Sequence, residues 1–138
     1  MALKYWTGSQ TKHRLLFHLV WIPKYRKRVL EGKIVKLLQH YFYEAVKENG
    51  WWIEQMAIMP DHVHMLIQIY PHESVSEVVQ KLKGGSSYAL RKICEYDDEY
   101  VWGSNFWSDG YFAESVGSVD FRTIKHYIKD NRASMPHQ

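Results

Sequence analysis

Apolar side chains occupy both parities of the stretch Leu15-Leu16-Phe17-His18-Leu19-Val20-Trp21-Ile22. Leu15, Phe17, Leu19 and Trp21 alternate with Leu16, His18, Val20 and Ile22, which predicts a strand from Arg14 to Ile22 that is apolar on both sides. Pro23 ends it. The pattern then changes period. Ile34, Leu37, Leu38, Tyr41, Ala45 and Val46 fall at helical spacing and predict a helix over Lys33–Asn49, with Gly50 at the stop position. Two further strands, Trp51–Met59 and His62–Tyr70, flank a Pro60-Asp61 turn and form a hairpin. A second long helix is expected from Ser74 to about Tyr96, opened by a Ser74/Glu77 capping box. Gly84-Gly85 interrupts it and marks a kink or a close approach by something else. A short strand, Tyr111–Val116, precedes a last helix from Asp120, a capping residue type, to Arg132.

The order βαββαβ plus a C-terminal helix is that of an α+β, ferredoxin-like fold. An antiparallel sheet carries two helices on one face, and its second face is left for chemistry, nucleic acid or a partner subunit.

Composition narrows the class. With 138 residues, 46% hydrophobic and 24% charged, the chain has the length and balance of one globular domain spanning 1–138. No apolar run approaches the roughly 18 residues of a membrane span, and the first residues lack the pattern of a signal peptide. A single cysteine, Cys94, excludes an internal disulfide and a Cys-rich zinc site, so a reducing, cytoplasmic location is expected. The net charge is only +3, but residues 1–33 hold eight Lys/Arg against Glu31 alone, and residues 94–120 hold seven acids and no Lys or Arg. A basic face toward a polyanion is one reading; a dipolar, inert surface is the other. Six tryptophans tilt the balance toward single-stranded nucleic acid, where bases stack on exposed rings, although most such rings belong to cores.

The segment with chemical content is Met59-Pro60-Asp61-His62-Val63-His64. Strand alternation sends His62 and His64 to one side and Val63, Met65, Ile67 and Ile69 to the other, toward the helices. Two imidazoles side by side form half of a metal site. Taken alone, His-x-His on a strand more often marks incidental surface histidines. An apolar strand, however, has no reason to spend two adjacent polar positions on a face that does nothing. Zinc would want four His, Cys or carboxylate ligands, and Cys94 lies far off in a helix. Mg²⁺ or Mn²⁺ would accept two histidines, one oxygen ligand, phosphate oxygens and water. In the C-terminal helix Tyr127 and Asn131 share a face at i, i+4, beside an apolar stripe of Phe121, Ile124 and Ile128 and among Arg122, Lys125, Lys129 and Arg132. A tyrosine beside a metal on a basic helix is what attack on a phosphodiester needs. By spacing alone, Tyr127 reads more readily as an amphipathic surface residue.

A set of blocks in order decides more than any one of them. His18-Leu-Val-Trp-Ile-Pro-Lys-Tyr-Arg26, Met59 to His64, Leu82-Lys-Gly-Gly-Ser-Ser87, Trp102 to Trp107, Gly110-Tyr-Phe112, Val116-Gly117 and Tyr127-Ile-Lys-Asp-Asn131 resemble the single-tyrosine transposases of IS 200/605-type insertion sequences, within the HUH nuclease group. The resemblance implies an enzyme that binds hairpins at the ends of a single-stranded element. It would cut with tyrosine, form a 5′-phosphotyrosine link with release of a 3′-OH, and rejoin strands without ATP. Carried onto this chain, Tyr127 is the nucleophile, and His62 and His64 hold the divalent metal. Asn131 stands at the third ligand position, where relatives often have the longer Gln, so a bridging water is an alternative to direct ligation. The resemblance further implies homodimers in which the tyrosine helix can serve the partner's metal site in trans.

Secondary expectations concern DNA contact. Lys24, Arg26 and Arg28 follow the first strand and could meet phosphates, with a solvated loop as the competing reading. Lys83 precedes two glycines that would admit a DNA backbone, and Arg91 lies two helical turns on. Trp102 and Trp107 could stack on bases or pack under a loop. Asp61 reads as a turn residue rather than a general base. Two alternatives stand beside the transposase: a domesticated relative that processes repeated hairpins, and a non-catalytic single-strand-binding module. The former tend to be longer, and this chain ends six residues after Arg132. The latter leaves His62, His64 and Tyr127 without a common reason.

Overall fold

The computed structural model describes residues 5–8, 12–93 and 106–134, excepting the side chains at 93, 118–121 and 131–134. Cys94, Trp102 and the expected extension of the second long helix to Tyr96 therefore lie outside the described residues, as do the side chains of Phe121 and Asn131. The elements are β1 (Trp6–Thr7), β2 (Lys12–His13), β3 (Leu15–Trp21), α1 (Lys33–Asn49), β4 (Trp52–Met59), β5 (His62–Ile69), α2 (Val75–Ile93), β6 (Phe112–Ser115) and α3 (Ser118–Ser134). A 3₁₀ turn, Lys24–Arg26, follows β3.

Strands β4, β5, β3 and β6 pair in that order, every neighbour antiparallel, which is the ferredoxin-like arrangement expected. Helices α1 and α2 seal one face. Ile34, Val35, Leu38 and Phe42 of α1 and Val78, Val79, Leu82 and Leu90 of α2 pack with Leu19, Trp21, Val63, Met65, Ile67 and Ile69 of the central strands. These strand residues belong to one parity, so the alternation of β5 is realised as the sequence requires. The opposite face is not left open. Helix α3 lies across it, with Ile128 buried against Leu16, Ala57, Leu66 and Val116 and Ile124 beside them.

Local signals set most boundaries. Gly50 takes the left-handed conformation (φ 75°, ψ 15°) and ends α1. The Ser74 hydroxyl accepts the Glu77 backbone N–H at 3.1 Å and opens α2. Helix α3 starts at Ser118, two residues before the expected Asp120 cap, so Asp120 falls inside its first turn. Two features carried no pattern in the sequence. The small β1–β2 ribbon sets Trp6 against Tyr70, with ring centroids 5.0 Å apart and planes tilted at 47°, at the far end of β5. A bulge at Glu54 shifts the register of β4 between Ile53 and Gln55.

The glycine pair does not kink α2, which runs unbroken through Gly84 and Gly85. Gly85 is instead the close approach. A Cβ there would collide with the Tyr41 hydroxyl of α1, whereas at Gly84 it would meet nothing. Opposite outcomes are expected. Gly84→Ala should stabilise by up to about 1 kcal/mol through helix propensity. Gly85→Ala should destabilise by about 1–2 kcal/mol, because overpacking exceeds that gain. Urea denaturation of both variants measures the two signs, and equal shifts would mean that Tyr41 moves aside without cost.

Candidate active site

Strand β5 is the platform. Its outward parity carries His62, His64, Leu66 and Gln68, with Val20 of β3 and Ala57 of β4 directly opposite His64. The imidazoles of His62 and His64 lie with centroids 4.4 Å apart at 74°. Tyr127, on the face of α3 turned to the sheet, brings its ring to 5.6 Å from that of His64 while remaining 55% exposed. Three residues singled out for chemistry thus converge on one face. Asn131 lies one helical turn beyond Tyr127 on α3.

Each imidazole is oriented by a neighbour. His62 Nδ1 is 2.7 Å from Asp61 Oδ1, and the second carboxylate oxygen of Asp61 accepts from Arg26 Nε at 3.1 Å. Burial alone would raise the Asp61 carboxyl. The hydrogen bond and charge of His62, followed by those of Arg26, outweigh it and hold the group below the usual carboxylate range. His64 Nδ1 lies 3.2 Å from Nε2 of His18, which projects from β3 on the same face. Burial, followed by the charges of His62 and His18, lowers the His64 imidazole to about 4, so it is neutral at neutral pH, the form that ligates metals. His18 is lowered too, by burial, partly offset by Glu114 of β6. Phe112 closes the far side of His18 edge-to-face at 5.8 Å.

The donor set suits a divalent cation. A carboxylate on Nδ1 of His62 leaves the Nε2 lone pair as the ligating one, the usual arrangement behind a metal-bound imidazole. Among the described residues, no group of three or more His, Cys, Asp or Glu is arranged to hold a metal ion. The paired imidazoles could supply two nitrogen ligands, with any further ligands coming from elsewhere.

The other expected residues fall into different surroundings. Arg26 is spent in part on Asp61, and its neighbour Tyr25 is 77% exposed. Both have positive φ, 61° and 51°, unusual for residues with a Cβ. Two such residues cost of order 1–3 kcal/mol each, more than the 0–1 kcal/mol an exposed ion pair returns. The segment is held by its neighbours: the Lys24 N–H donates to Phe106 O at 3.0 Å, Ser108 N–H to Ile22 O at 2.9 Å, and Pro23 bridges to Trp107. Arg28 is exposed. Lys83 donates to the carbonyls of Ser108 and Gly110, both at 2.8 Å, and burial lowers its ammonium against the pull of Asp109. Ser86 accepts the Trp107 indole N–H at 2.8 Å, and Ser87 accepts the Phe106 N–H at 3.1 Å. The Lys-Gly-Gly-Ser-Ser block is thus a clamp on residues 106–110, and Trp107, 1% exposed, packs in the core rather than awaiting a base. Arg91 sits over the Tyr88 ring at 5.9 Å. The sequence left His18 without a role and set Asp61 down as a turn residue. Parity could have marked His18, since it is the polar residue that interrupts an apolar strand.

A ferredoxin-like sheet thus carries paired histidines on one face, with the tyrosine of a C-terminal helix folded over them. Comparison with known proteins gives the family: the model described as "Transposase IS200 like" matches residues 11–131, and the chain belongs to that family. The ISDra2 transposase TnpA of Deinococcus radiodurans is 32% identical over 122 residues, 88% of this chain and 87% of that protein. The transposase for insertion sequence element IS200 of Salmonella typhimurium is 30% identical over 129 residues, 90% and 84% of the two chains. Among solved structures, a candidate transposase from Deinococcus radiodurans R1 superposes with a TM-score of 0.73 at 26% identity, covering 92% of this chain and 98% of that one. A REP-associated tyrosine transposase bound to a REP hairpin shares the fold, with a TM-score of 0.63 at 16% identity over 93% and 72%. No helix among the described residues is long and apolar enough to cross a membrane.

The seat of α3 decides whether Tyr127 faces the histidines. Ile128, fully buried beside it, is the anchor. Ile128→Ala should cost about 2–4 kcal/mol. The loss should be local, seen as faster amide hydrogen exchange through α3 with α1 and β5 unchanged. Uniform acceleration across the chain would mean that α3 is not a separable unit.

Proposed function

We propose that this chain binds single-stranded DNA with hairpin ends and cleaves and rejoins it through Tyr127. The observation that carries this reading is the convergence of Tyr127 with His62 and His64 on one face of the sheet. The Tyr127 oxygen attacks the scissile phosphorus and forms a phosphotyrosine ester at the 5′ side. The P–O3′ bond breaks, the tyrosine proton passes to solvent, and the departing oxygen becomes a free 3′-OH. One phosphodiester bond is exchanged for another, so the reverse reaction on a new 3′-OH joins strands without an energy source. His62 and His64, with Asn131 as third ligand directly or through water, would hold Mg²⁺ or Mn²⁺, which supplies Lewis-acid neutralisation of charge at the phosphate. Asp61 and His18 keep the two imidazoles oriented. Lys24, Arg26, Arg28, Lys83 and Arg91 remain the proposed DNA contacts; Arg26 is tied to the site through Asp61, and Lys83 also holds the 106–110 segment.

The competing class, a non-catalytic single-strand-binding module, gives no reason for a tyrosine to lie against a buried, neutral imidazole. One experiment separates the two. Labelled single-stranded DNA carrying an end hairpin, incubated with Mg²⁺, should give a covalent adduct that survives a denaturing gel. Tyr127→Phe should abolish the adduct while leaving hairpin affinity within a few-fold. His62→Ala, His64→Ala and EDTA should each abolish cleavage without abolishing binding. An adduct formed by the Phe variant would assign the nucleophile elsewhere, and robust cleavage in EDTA would remove the metal.

A homodimer is part of the proposal. Strand β6 presents an edge with all four residues exposed, which supports pairing with a second copy, and closed two-fold dimers are the commonest assembly. The family resemblance allows the tyrosine to act in trans; the contact of Tyr127 with His64 of its own chain supports action in cis. Mixing His64→Ala with Tyr127→Phe under subunit exchange distinguishes them. A cis enzyme recovers nothing, whereas a trans enzyme recovers up to about a quarter of the wild-type sites, since roughly half of random dimers are mixed and each has one good site.

A further inference from the structure

We propose that Arg26 and Asp61 are positioning residues for the ring of His62, so that the turn after β3 acts on the metal centre through a carboxylate rather than only on DNA. The inference rests on the reading of His62 as a metal ligand. Its basis is geometric. The Asp61 carboxylate divides its two oxygens, Oδ1 on His62 Nδ1 at 2.7 Å and Oδ2 on Arg26 Nε at 3.1 Å. The Asp61 and His62 side chains are largely buried, at 16% and 20% exposure, while Arg26 is 67% exposed. Arg26 thus reaches in from solvent to fix a carboxylate that would otherwise be free to rotate away from the imidazole. The left-handed backbone at Tyr25 and Arg26 accompanies that reach, and the hydrogen bond of Leu30 N–H to Pro60 O, 3.0 Å, ties the segment after the turn to the β4–β5 hairpin. Strain that an exposed ion pair does not repay in stability has a reason if the position of Arg26 governs a functional ring.

A carboxylate accepting from Nδ1 holds His62 as the tautomer whose Nε2 carries the lone pair, and outer partners of this kind typically change metal affinity 10–100-fold when removed. Asp61→Asn keeps a turn-forming residue and its shape while removing the charge. Arg26→Gln alters only an exposed side chain, so neither variant threatens folding.

The test uses the full chain without DNA and Mn²⁺ as probe, with free Mn²⁺ read by electron paramagnetic resonance. His62→Ala should lose measurable affinity. Asp61→Asn should weaken it about 10–100-fold, and Arg26→Gln several-fold. The double variant should be no weaker than Asp61→Asn alone, because Arg26 acts through Asp61. Imidazole ¹⁵N shifts supply a second readout. His62 should be protonated at Nδ1 in the wild type, and its tautomer should redistribute in Asp61→Asn. The proposal is overturned if His62→Ala loses Mn²⁺ while Asp61→Asn binds within about twofold of wild type. It is also overturned if Arg26→Gln leaves Mn²⁺ affinity intact and instead lowers the slope of log DNA affinity against log salt by about one contact's worth. Undiminished Mn²⁺ binding by His62→Ala would instead show that the metal assignment itself is wrong, and the relay with it.

Discussion

Strand β5 is buried continuously from Val63 to Ile69, and a strand buried on both faces must be covered twice. Every functional feature of the molecule follows from how that demand is met. Helices α1 and α2 cover the parity of Val63, Met65, Ile67 and Ile69. The other parity, with Leu66 at its middle, is covered by α3 through Ile128. A helix seated on Leu66 passes over the neighbouring same-face position, His64, and the residue before its anchor is Tyr127. The apolar contact that completes the core is therefore also the one that brings Tyr127 against His64.

Among the described residues the two covers differ in extent. The first joins large side chains from both long helices, both central strands and the 106–107 segment, with Trp21, Phe42, Phe106 and Trp107 nearly inaccessible. The second is a smaller cluster around Ile128, reinforced by the Lys125–Glu54 pair at 3.7 Å. Among the described residues, the larger cluster lies behind the strands that carry the histidines, and the smaller one seats the helix that carries Tyr127.

Rigidity around the histidines comes from short polar contacts between segments distant in sequence. Lys83, Ser86 and Ser87 of α2 hold residues 106–110; these hold the turn at 22–24; the turn presents Arg26 to Asp61, and Asp61 faces His62. From the other side, β3 supplies His18 to His64. Basic side chains that a linear reading assigns to DNA are thus partly occupied inside the protein. Local low dielectric makes such contacts worth more than their surface counterparts, which is why the half-buried Lys83 rather than the exposed Arg28 is the one committed to the fold.

Periodicity within each element was enough to determine a great deal. The helix over 33–49, the hairpin at Pro60-Asp61, the shared side of His62 and His64, and the shared side of Tyr127 and Asn131 all follow from repeats of 2.0 and 3.6 residues, which are properties of a single backbone segment. The family resemblance added the roles these residues carry. What the repeats could not specify is how separate segments register against one another. His18 reaches His64 only because β3 pairs with β5 so that His18 faces Leu66 and Val20 faces His64. Asp61 looks like any turn residue until the turn after β3 brings Arg26 beside it, and Gly85 looks like a helix breaker until Tyr41 is packed against it. The bulge at Glu54 and the β1–β2 ribbon are too short to carry a period at all. Contacts of this kind are chosen by the joint packing of the whole core, because a side chain's partner across 35 or 46 residues is set by where both segments are forced to lie and by nothing in either segment alone.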